Sequence, residues 1–490
     1  MNRYFRRSLD AVARKMKVAR KEELPETDPQ GQRLIGLTED THQPLWAPKG
    51  HSTLLSAAGG GKTTAGAMPW LYSLISSNPR KAVLIMDSKD GELAAQSAQM
   101  IADMGLPVAV IDDMGVFPKD YPHRVSLNAV GAVTSTFKDA PEDLIFANEM
   151  VTHALIEEPE KDQRNRYWRS WPRILIEFAV YVLLKRNVAL ATPGGVWSLL
   201  SNPEMLRKFA AIEASEGDGM LRVLARNVLG MVGHEHWPQH LEAAQEALRI
   251  FAIGSRLHHA GAGSTTTHYD LIKEGTIIFL VGPQAYMNRL GAYYALHIMC
   301  LTHALYCGAG PLTFINDEFS NAPLRPFIEA LTTLRSYGGE AHNIAQSRSE
   351  IERKMGKLEM QTLEENSIVK QWFGFSGFSE AKLVSEMMGE QHAISSSLGA
   401  DTESLRLQTN LSLIKQRWMS PAELMAMRDD QQLIHVKGLG FFLALKIGMH
   451  NIEPYCHLIA PNPQEGGTLT PNPLIRLTTP NLIKPNGEPV

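Results

Sequence analysis

A chain of 490 residues, 44% apolar and 20% charged, is long enough for about two to four domains with real cores and too apolar for general disorder. Its 48 Lys and Arg against 52 Asp and Glu leave a net charge of -4, which excludes a histone-like polycation and confines any nucleic-acid contact to a local patch or channel. The three cysteines (Cys300, Cys307, Cys456) are odd in number and lack metal-ligand spacing, so neither a disulfide scaffold nor a zinc ribbon is expected, and a reducing cytoplasm is the simplest compartment.

Residues 1–23 carry eight basic side chains: Arg3, Arg6, Arg7, Arg14, Lys15, Lys17, Arg20 and Lys21. Phe5, Leu9, Val12 and Met16 recur at helical spacing, so an amphipathic helix is predicted. It would pack its apolar stripe on the body or a partner, lie on an anionic membrane surface, or bind nucleic acid. Residues 23–48 contain Pro25, Pro29, Pro44 and Pro48 and read as a linker. The longest apolar run, 174–184, is interrupted by Glu177 and is too short for a membrane span, and the basic N-terminus has no apolar core of a cleavable signal. A soluble chain is expected.

A short β-like run at 51–55 is followed by Ser56-Ala-Ala-Gly59-Gly60-Gly61-Lys62-Thr63-Thr64 and then a helical stretch to about residue 75. Strand, glycine-rich turn, Lys-Thr and helix form the context of a phosphate-binding loop. Backbone N–H groups at the helix start would wrap the phosphates of ATP, Lys62 would reach the β and γ oxygens, and Thr63 would hold Mg2+. Ser56 stands where the usual pattern begins with glycine. Further along, residues 311–316 read as a strand ending in Asp317-Glu318, 255 residues beyond Lys62. Asp317 is placed to hold Mg2+ through water, and Glu318 to orient and deprotonate the attacking water.

Between these motifs the pattern predicts strands at 83–86, 107–111 and 276–281, a helix from Glu92, a mainly helical stretch over about 140–265, and a helix over 285–306. After Glu318 come a helix at 324–336, a strand ending at Ala345 and another at 367–373. Alternating strands and helices imply an α/β fold with a mostly parallel sheet and an inserted helical domain. The tail from Pro461, rich in Pro, Asn and Thr, reads as loose. The expected domains are 1–44 (basic segment and linker), 45–140 and 266–450 (two parts of a nucleotide-binding domain), 141–265 (all-α insertion) and 451–490 (tail).

These motifs resemble the TraG-type coupling proteins of type IV secretion, the conjugative DNA-transfer ATPases. His51 and the apolar run, the phosphate loop, and Pro69-Trp-Leu71 are similar to the family's first motif. Asp87-Ser-Lys89-Asp90-Gly91-Glu92 resembles its Asp-x-Lys-Gly-Glu box with Asp90 as an extra residue, and Leu127-Asn128 its Asn-Pro-Leu element with Ala129 for the proline. Tyr167-Trp168 is similar to the opening of its all-α domain. Asp317-Glu318-Phe319, Leu334-Arg335-Ser-Tyr337-Gly338 and Ala345-Gln346-Ser347 follow in the family's order, as does Pro421-Ala-Glu423-Leu424 with a closing hairpin at 432–436 and 441–447. The likeness spans roughly 45–450.

The resemblance implies a RecA-like P-loop ATPase, a homohexamer around a DNA channel. It makes Gln346 a γ-phosphate sensor and Arg335 an arginine finger across a subunit interface, the alternative being a surface arginine. It places Asp87, Lys89 and Glu92 near the nucleotide, either coupled to it or as an ion-pair cluster. Its partners would be single- or double-stranded DNA, a relaxase or effector proteins, secretion-channel ATPases and inner-membrane components, met at the cytoplasmic face of the inner membrane. Arg164, Arg166, Tyr167, Trp168, Arg169, Trp171 and Arg173 interleave bases and aromatics, so they would grip single strands, dock cargo, or be buried structure. The activity implied is ATP-driven transfer of a relaxase–DNA complex into the channel. The alternatives are a receptor for protein effectors and a non-secretory DNA pump of the FtsK/HerA kind.

Overall fold

The computed structural model describes residues 32–158, 162, 164–321, 325–400, 407–464, 466–467 and 469–477, with the backbone alone for 392–400 and 407–415. The predicted basic helix at 1–23 lies outside them. Among the described residues no helix is long and apolar enough to cross a membrane.

A 12-stranded sheet organises the chain. From one edge to the other its strands are Pro44–Ala47, Arg33–Leu37, Gly440–Leu445, Gln431–Val436, Ser367–Trp372, His51–Leu55, Gly339–Ala345, Leu312–Asn316, Ala82–Asp87, Ile277–Val281, Val108–Ile111 and Arg124–Val125. The strands from Ser367–Trp372 onward run parallel, and the others join antiparallel. The central parallel strands are buried end to end, as expected when helices cover both faces. Alternation within each strand feeds two cores. Val83, Ile85, Phe279 and Ile315 face the helices Met68–Ser77 and Glu92–Asp103. Leu84, Met86, Leu280 and Phe314 face Gly291–Tyr306, Arg325–Leu334 and the helical block.

That block comprises Leu144–Leu155, Arg166–Arg186, Pro193–Leu200, Pro203–Glu216, Gly219–Met231 and Trp237–Ala247, preceded by Gly131–Asp139. It is inserted between the edge strand Arg124–Val125 and the interior strand Ile277–Val281, so the sheet closes around a long excursion of the chain.

Three segments differ from expectation. Within the expected linker, Arg33–Leu37 and Pro44–Ala47 form an antiparallel pair at the sheet edge. The Arg33 guanidinium lies 4.6 Å from the Trp70 ring centroid, an anchor that pattern reading does not reveal. The tail is not loose where it is described: Ile475–Arg476 pairs in parallel with Ile452–Glu453, and Tyr455 stacks on Tyr72 with ring centroids 4.4 Å apart. A long antiparallel hairpin, Glu390–Ala400 with Leu407–Arg417, was signalled by no turn motif.

The Pro421-Ala-Glu423-Leu424 element has a local explanation. Ser420 Oγ accepts the Glu423 N–H at 3.2 Å, Glu423 Oε2 accepts the Ser420 N–H at 2.7 Å, and Leu424 is fully buried behind this reciprocal cap. Ser420→Ala is expected to cost about 1 kcal/mol, read as a lowered denaturant midpoint with an unchanged slope.

Candidate nucleotide site

Four segments converge because four neighbouring strands run parallel and end together. His51–Leu55, Gly339–Ala345, Leu312–Asn316 and Ala82–Asp87 deliver Ser56, Gln346, Asp317-Glu318 and Ser88-Lys89 to one edge of the sheet. Ligand sites of open parallel sheets lie at this carboxyl edge. His51 is structural. Its Nδ1 accepts the Ala341 N–H at 2.9 Å, which leaves Nε2 to donate to Leu331 O at 2.9 Å, tying the first strand to its neighbour.

The loop accommodates its departure from the usual glycine. Ser56 is buried, and its hydroxyl turns back to donate to Ala57 O at 3.3 Å. A Cβ on residue 60 would stand 2.1 Å from that oxygen, so Ser56 is tolerated because Gly60 has none. Gly61 takes a left-handed φ of 85° and starts the helix, whose first turn, Lys62–Ala67, is wound as a π-helix. Thr64 turns its hydroxyl to Gly61 O at 3.5 Å.

The side chains beyond the loop form one connected cluster. Lys62 Nζ donates to Ser56 O at 3.2 Å and pairs with Glu318 Oε1 at 3.2 Å. Thr63 Oγ1 donates to Asp317 Oδ2 at 3.2 Å. Lys89 Nζ lies 3.3 Å from Thr63 Oγ1, 3.6 Å from Asp317 Oδ2 and 3.2 Å from Glu318 Oε1. Gln346 Nε2 donates to Glu318 Oε2 at 3.4 Å. Glu318 has a left-handed φ of 53°, an unfavourable backbone for a side chain of its size, and this turn folds its carboxylate back among the lysines.

Burial and partners set the charges. Burial opposes ionisation of Glu318, but Lys89 and Lys62 together hold its carboxyl below the usual range. Burial pushes Asp317 up, against the pull of Lys89. Asp87 is pushed up to about 8, first by burial, and its Oδ2 accepts the Ala94 N–H at 2.9 Å. It therefore satisfies a first-turn N–H of the helix Glu92–Asp103 behind the cluster. The extra residue of the box, Asp90, takes a left-handed φ of 54° and accepts the Gln284 N–H at 3.1 Å.

Arg335 is not brought to this cluster. It is exposed in the short turn Arg335–Tyr337, which precedes the strand Gly339–Ala345 and so sits at the opposite edge of the sheet. In the helical block, Arg169 pairs with Glu158 and Asp162, and Arg173 with Glu158. Tyr167 and Trp168 remain 39% and 42% exposed, their rings packed against His236 and His240, while Arg164 and Arg166 are exposed beside them.

Two groups at the site escaped the motif reading. Lys446, at the end of the last hairpin, donates to Gly60 O at 3.2 Å and lies 4.9 Å from the Phe373 ring centroid. Asn462 and Gln464 of the tail bind the box around Lys89. Only the tertiary fold spans the 386 positions between Lys446 and the loop, and no local signal marks any of the three.

The donor set fits Mg2+-nucleotide. A hydroxyl and a carboxylate of hard oxygen character lie side by side at a helix start, next to a loop whose close approach needs glycine, and an ammonium already bridges the two oxygens. Among the described residues no group of three or more His, Cys, Asp or Glu side chains is arranged to hold a metal alone.

Residues 311–429 match a family model described as the TraM recognition site of TraD and TraG. The fold is similar to that of the bacterial conjugative coupling protein TrwBdeltaN70, with a TM-score of 0.65 at 14% identity over 86% of this chain and 90% of that one. A structure of the plasmid coupling protein TrwB in complex with ADP and Mg2+ matches with a TM-score of 0.59 at 14% identity, over the same shares of both chains. VirB4 of Thermoanaerobacter pseudethanolicus matches with a TM-score of 0.50 at 12% identity, over 86% of this chain and 98% of that one. No curated protein sequence matches significantly. The matched segment and the shared fold support the resemblance to TraG-type coupling proteins.

Proposed function

We propose, from the premise of a coupling-protein fold carrying a TraG/TraD-type C-terminal segment, that this chain hydrolyses ATP to drive a relaxase–DNA substrate into a type IV secretion channel. The observation that carries the reading is the single cluster of Lys62, Thr63, Asp317, Glu318, Lys89 and Gln346 at the carboxyl edge of the sheet. Ser56, Gly59, Gly60, Gly61, Lys62, Thr63 and Thr64 would hold the phosphates, and Thr63 with Asp317 would hold Mg2+. An ion held by Thr63 and Asp317 would supply neutralisation of phosphate charge for transfer of the γ-phosphoryl group.

Glu318, kept ionised by two lysines, is the general base that takes the proton of the attacking water. Gln346, hydrogen-bonded to Glu318, links the state of the γ-phosphate to the strand Gly339–Ala345. Arg335, exposed at the far edge of the sheet, serves a neighbouring subunit's site within a homohexamer. The segment 311–429 recognises a TraM-like protein, since the family it matches is described as the TraM recognition site of TraD and TraG. The exposed Tyr167–Trp168 surface faces DNA or cargo. The chain works at the cytoplasmic face of the inner membrane, with secretion-channel ATPases and inner-membrane components as partners.

The test is ATP hydrolysis by the purified protein with and without single-stranded DNA, with Lys62→Ala as the blank. Stimulation by DNA that vanishes in the variant is the expected result. Hydrolysis indifferent to DNA would replace the DNA motor with a receptor for protein effectors, and no hydrolysis in any condition would overturn the ATPase reading.

A further inference from the structure

The loop that carries Lys89 is held from outside by the far end of the chain. Gln464 Nε2 donates to Lys89 O at 2.7 Å, and Asn462 Nδ2 donates to the buried Glu92 Oε1 at 2.8 Å. The Ala460 N–H donates to Gln96 O at 3.2 Å, one turn into the helix that follows the loop. The strap is itself a closed turn. Asn462 Oδ1 accepts the Gln464 N–H at 2.9 Å, and the Asn462 N–H donates to Gly467 O at 2.9 Å. On the other side, Asp90 holds the same loop to the turn at 282–284 through the Asp90 N–H to Gly282 O and the Gln284 N–H to Asp90 Oδ1, each 3.1 Å. From this four-residue loop, gripped on both sides, Lys89 extends to Thr63, Asp317 and Glu318.

There the Lys89 ammonium bridges the Thr63 hydroxyl and the Asp317 carboxylate, the pair that would hold Mg2+. Two buried carboxylates so close together need cations, and Lys62 and Lys89 supply them. A divalent ion bound by the same two oxygens and the Lys89 ammonium cannot share that position.

We propose that Lys89 is a built-in cation of the Mg2+ site, which supports nucleotide binding when Mg2+ is absent and yields its place when Mg2+ binds, and that the strap of Ala460, Asn462 and Gln464 positions it there. This inference rests on the nucleotide-binding reading above. Asn462 and Gln464 are positioning residues, since they act through the loop and not on the nucleotide. Because Lys89 and Mg2+ compete for one place, the gain in nucleotide affinity on adding Mg2+ is small in the native chain and grows when Lys89 is removed.

The test measures binding of a fluorescent ATP analogue to the full chain in EDTA and in saturating Mg2+, and takes the ratio of the two dissociation constants. Lys89→Met is expected to raise that ratio by about tenfold, the scale of one lost charge-assisted hydrogen bond, mainly by weakening binding in EDTA. Lys89→Arg, which keeps the charge, should retain most of the native ratio. The double variant Asn462→Ala/Gln464→Ala should raise the ratio in the native background and leave it unchanged when Lys89 is already Met.

A native ratio in Lys89→Met overturns the resident cation. A strap variant that weakens binding equally in EDTA and Mg2+, or equally in both Lys89 backgrounds, overturns the positioning role. If the native chain binds no nucleotide in either condition, the nucleotide reading itself fails, and with it this one.

Discussion

Glu318→Gln is expected to lower ATP turnover by about 10²–10⁴-fold, the scale of a lost general base, while nucleotide binding survives. The substitution keeps size and shape, so the left-handed turn at residue 318 and the packing around it are preserved. It removes the carboxylate that Lys62 and Lys89 each approach at 3.2 Å, and with it the one acceptor in the cluster held ionised by two cations. Steady-state phosphate release, set beside binding of a fluorescent nucleotide analogue, separates the two effects. Native turnover in Glu318→Gln would remove Glu318 from the mechanism. Equal loss of binding and turnover would make it a structural counter-ion of the lysines instead.

The second large effect concerns acid. His268, His297 and His342 are buried, and burial is the first cause that lowers all three below the usual imidazole range, His268 to about 3. His268 Nε2 and His297 Nδ1 share a hydrogen bond of 3.0 Å. As pH falls through 6.5 the unfolded chain takes up a proton at residue 268 and the folded chain does not, so unfolding is favoured. The contribution is nil above about pH 6.5 and grows down to the folded value near 3. At pH 4 it amounts to roughly 3 kcal/mol at that one position.

Buried acids act in the opposite sense. Asp87, pushed up to about 8, and Glu380, pushed up to about 7, favour the fold as pH falls toward the ordinary carboxylate range. The whole-protein pH curve therefore mixes both, and a comparison between variants isolates the histidine. His268→Gln should be less stable than the native chain at pH 7, and denaturant midpoints should show the gap closing by roughly 3 kcal/mol at pH 4. A gap constant between pH 7 and pH 4 would mean that His268 takes up its proton equally in the folded and unfolded chains.

Local chemistry made much of the site legible. Three glycines before Lys62-Thr63, an apolar run ending in Asp317-Glu318, and a strand ending at Gln346 each announce their kind within a few residues, because a phosphate loop and a strand end are local devices. The central strands were equally plain, since strands buried on both faces read as continuous apolar runs. What stayed hidden depends on partners far away in the chain. Arg33–Leu37 is a strand because an edge was free for it, not because its own pattern demands one. The motif around Asp87 leaves it either coupled to the nucleotide or part of an ion-pair cluster, and its bond to the Ala94 N–H, seven residues on, is visible only in the fold.

The α/β class, the glycine-rich loop before Lys62-Thr63 with the distant acidic pair, and the order of the motifs are legible from short-range pattern and residue chemistry alone. Tertiary packing alone explains why Ser56 fits beside a Gly60 that lacks a Cβ, why Lys89 lies between the Thr63 hydroxyl and the Asp317 carboxylate, and why Lys446, Asn462 and Gln464 reach the site. The reason is physical: a position within hydrogen-bond reach is set by how strands and crossovers stack, and residues hundreds of positions apart carry no mark of the neighbour they will meet.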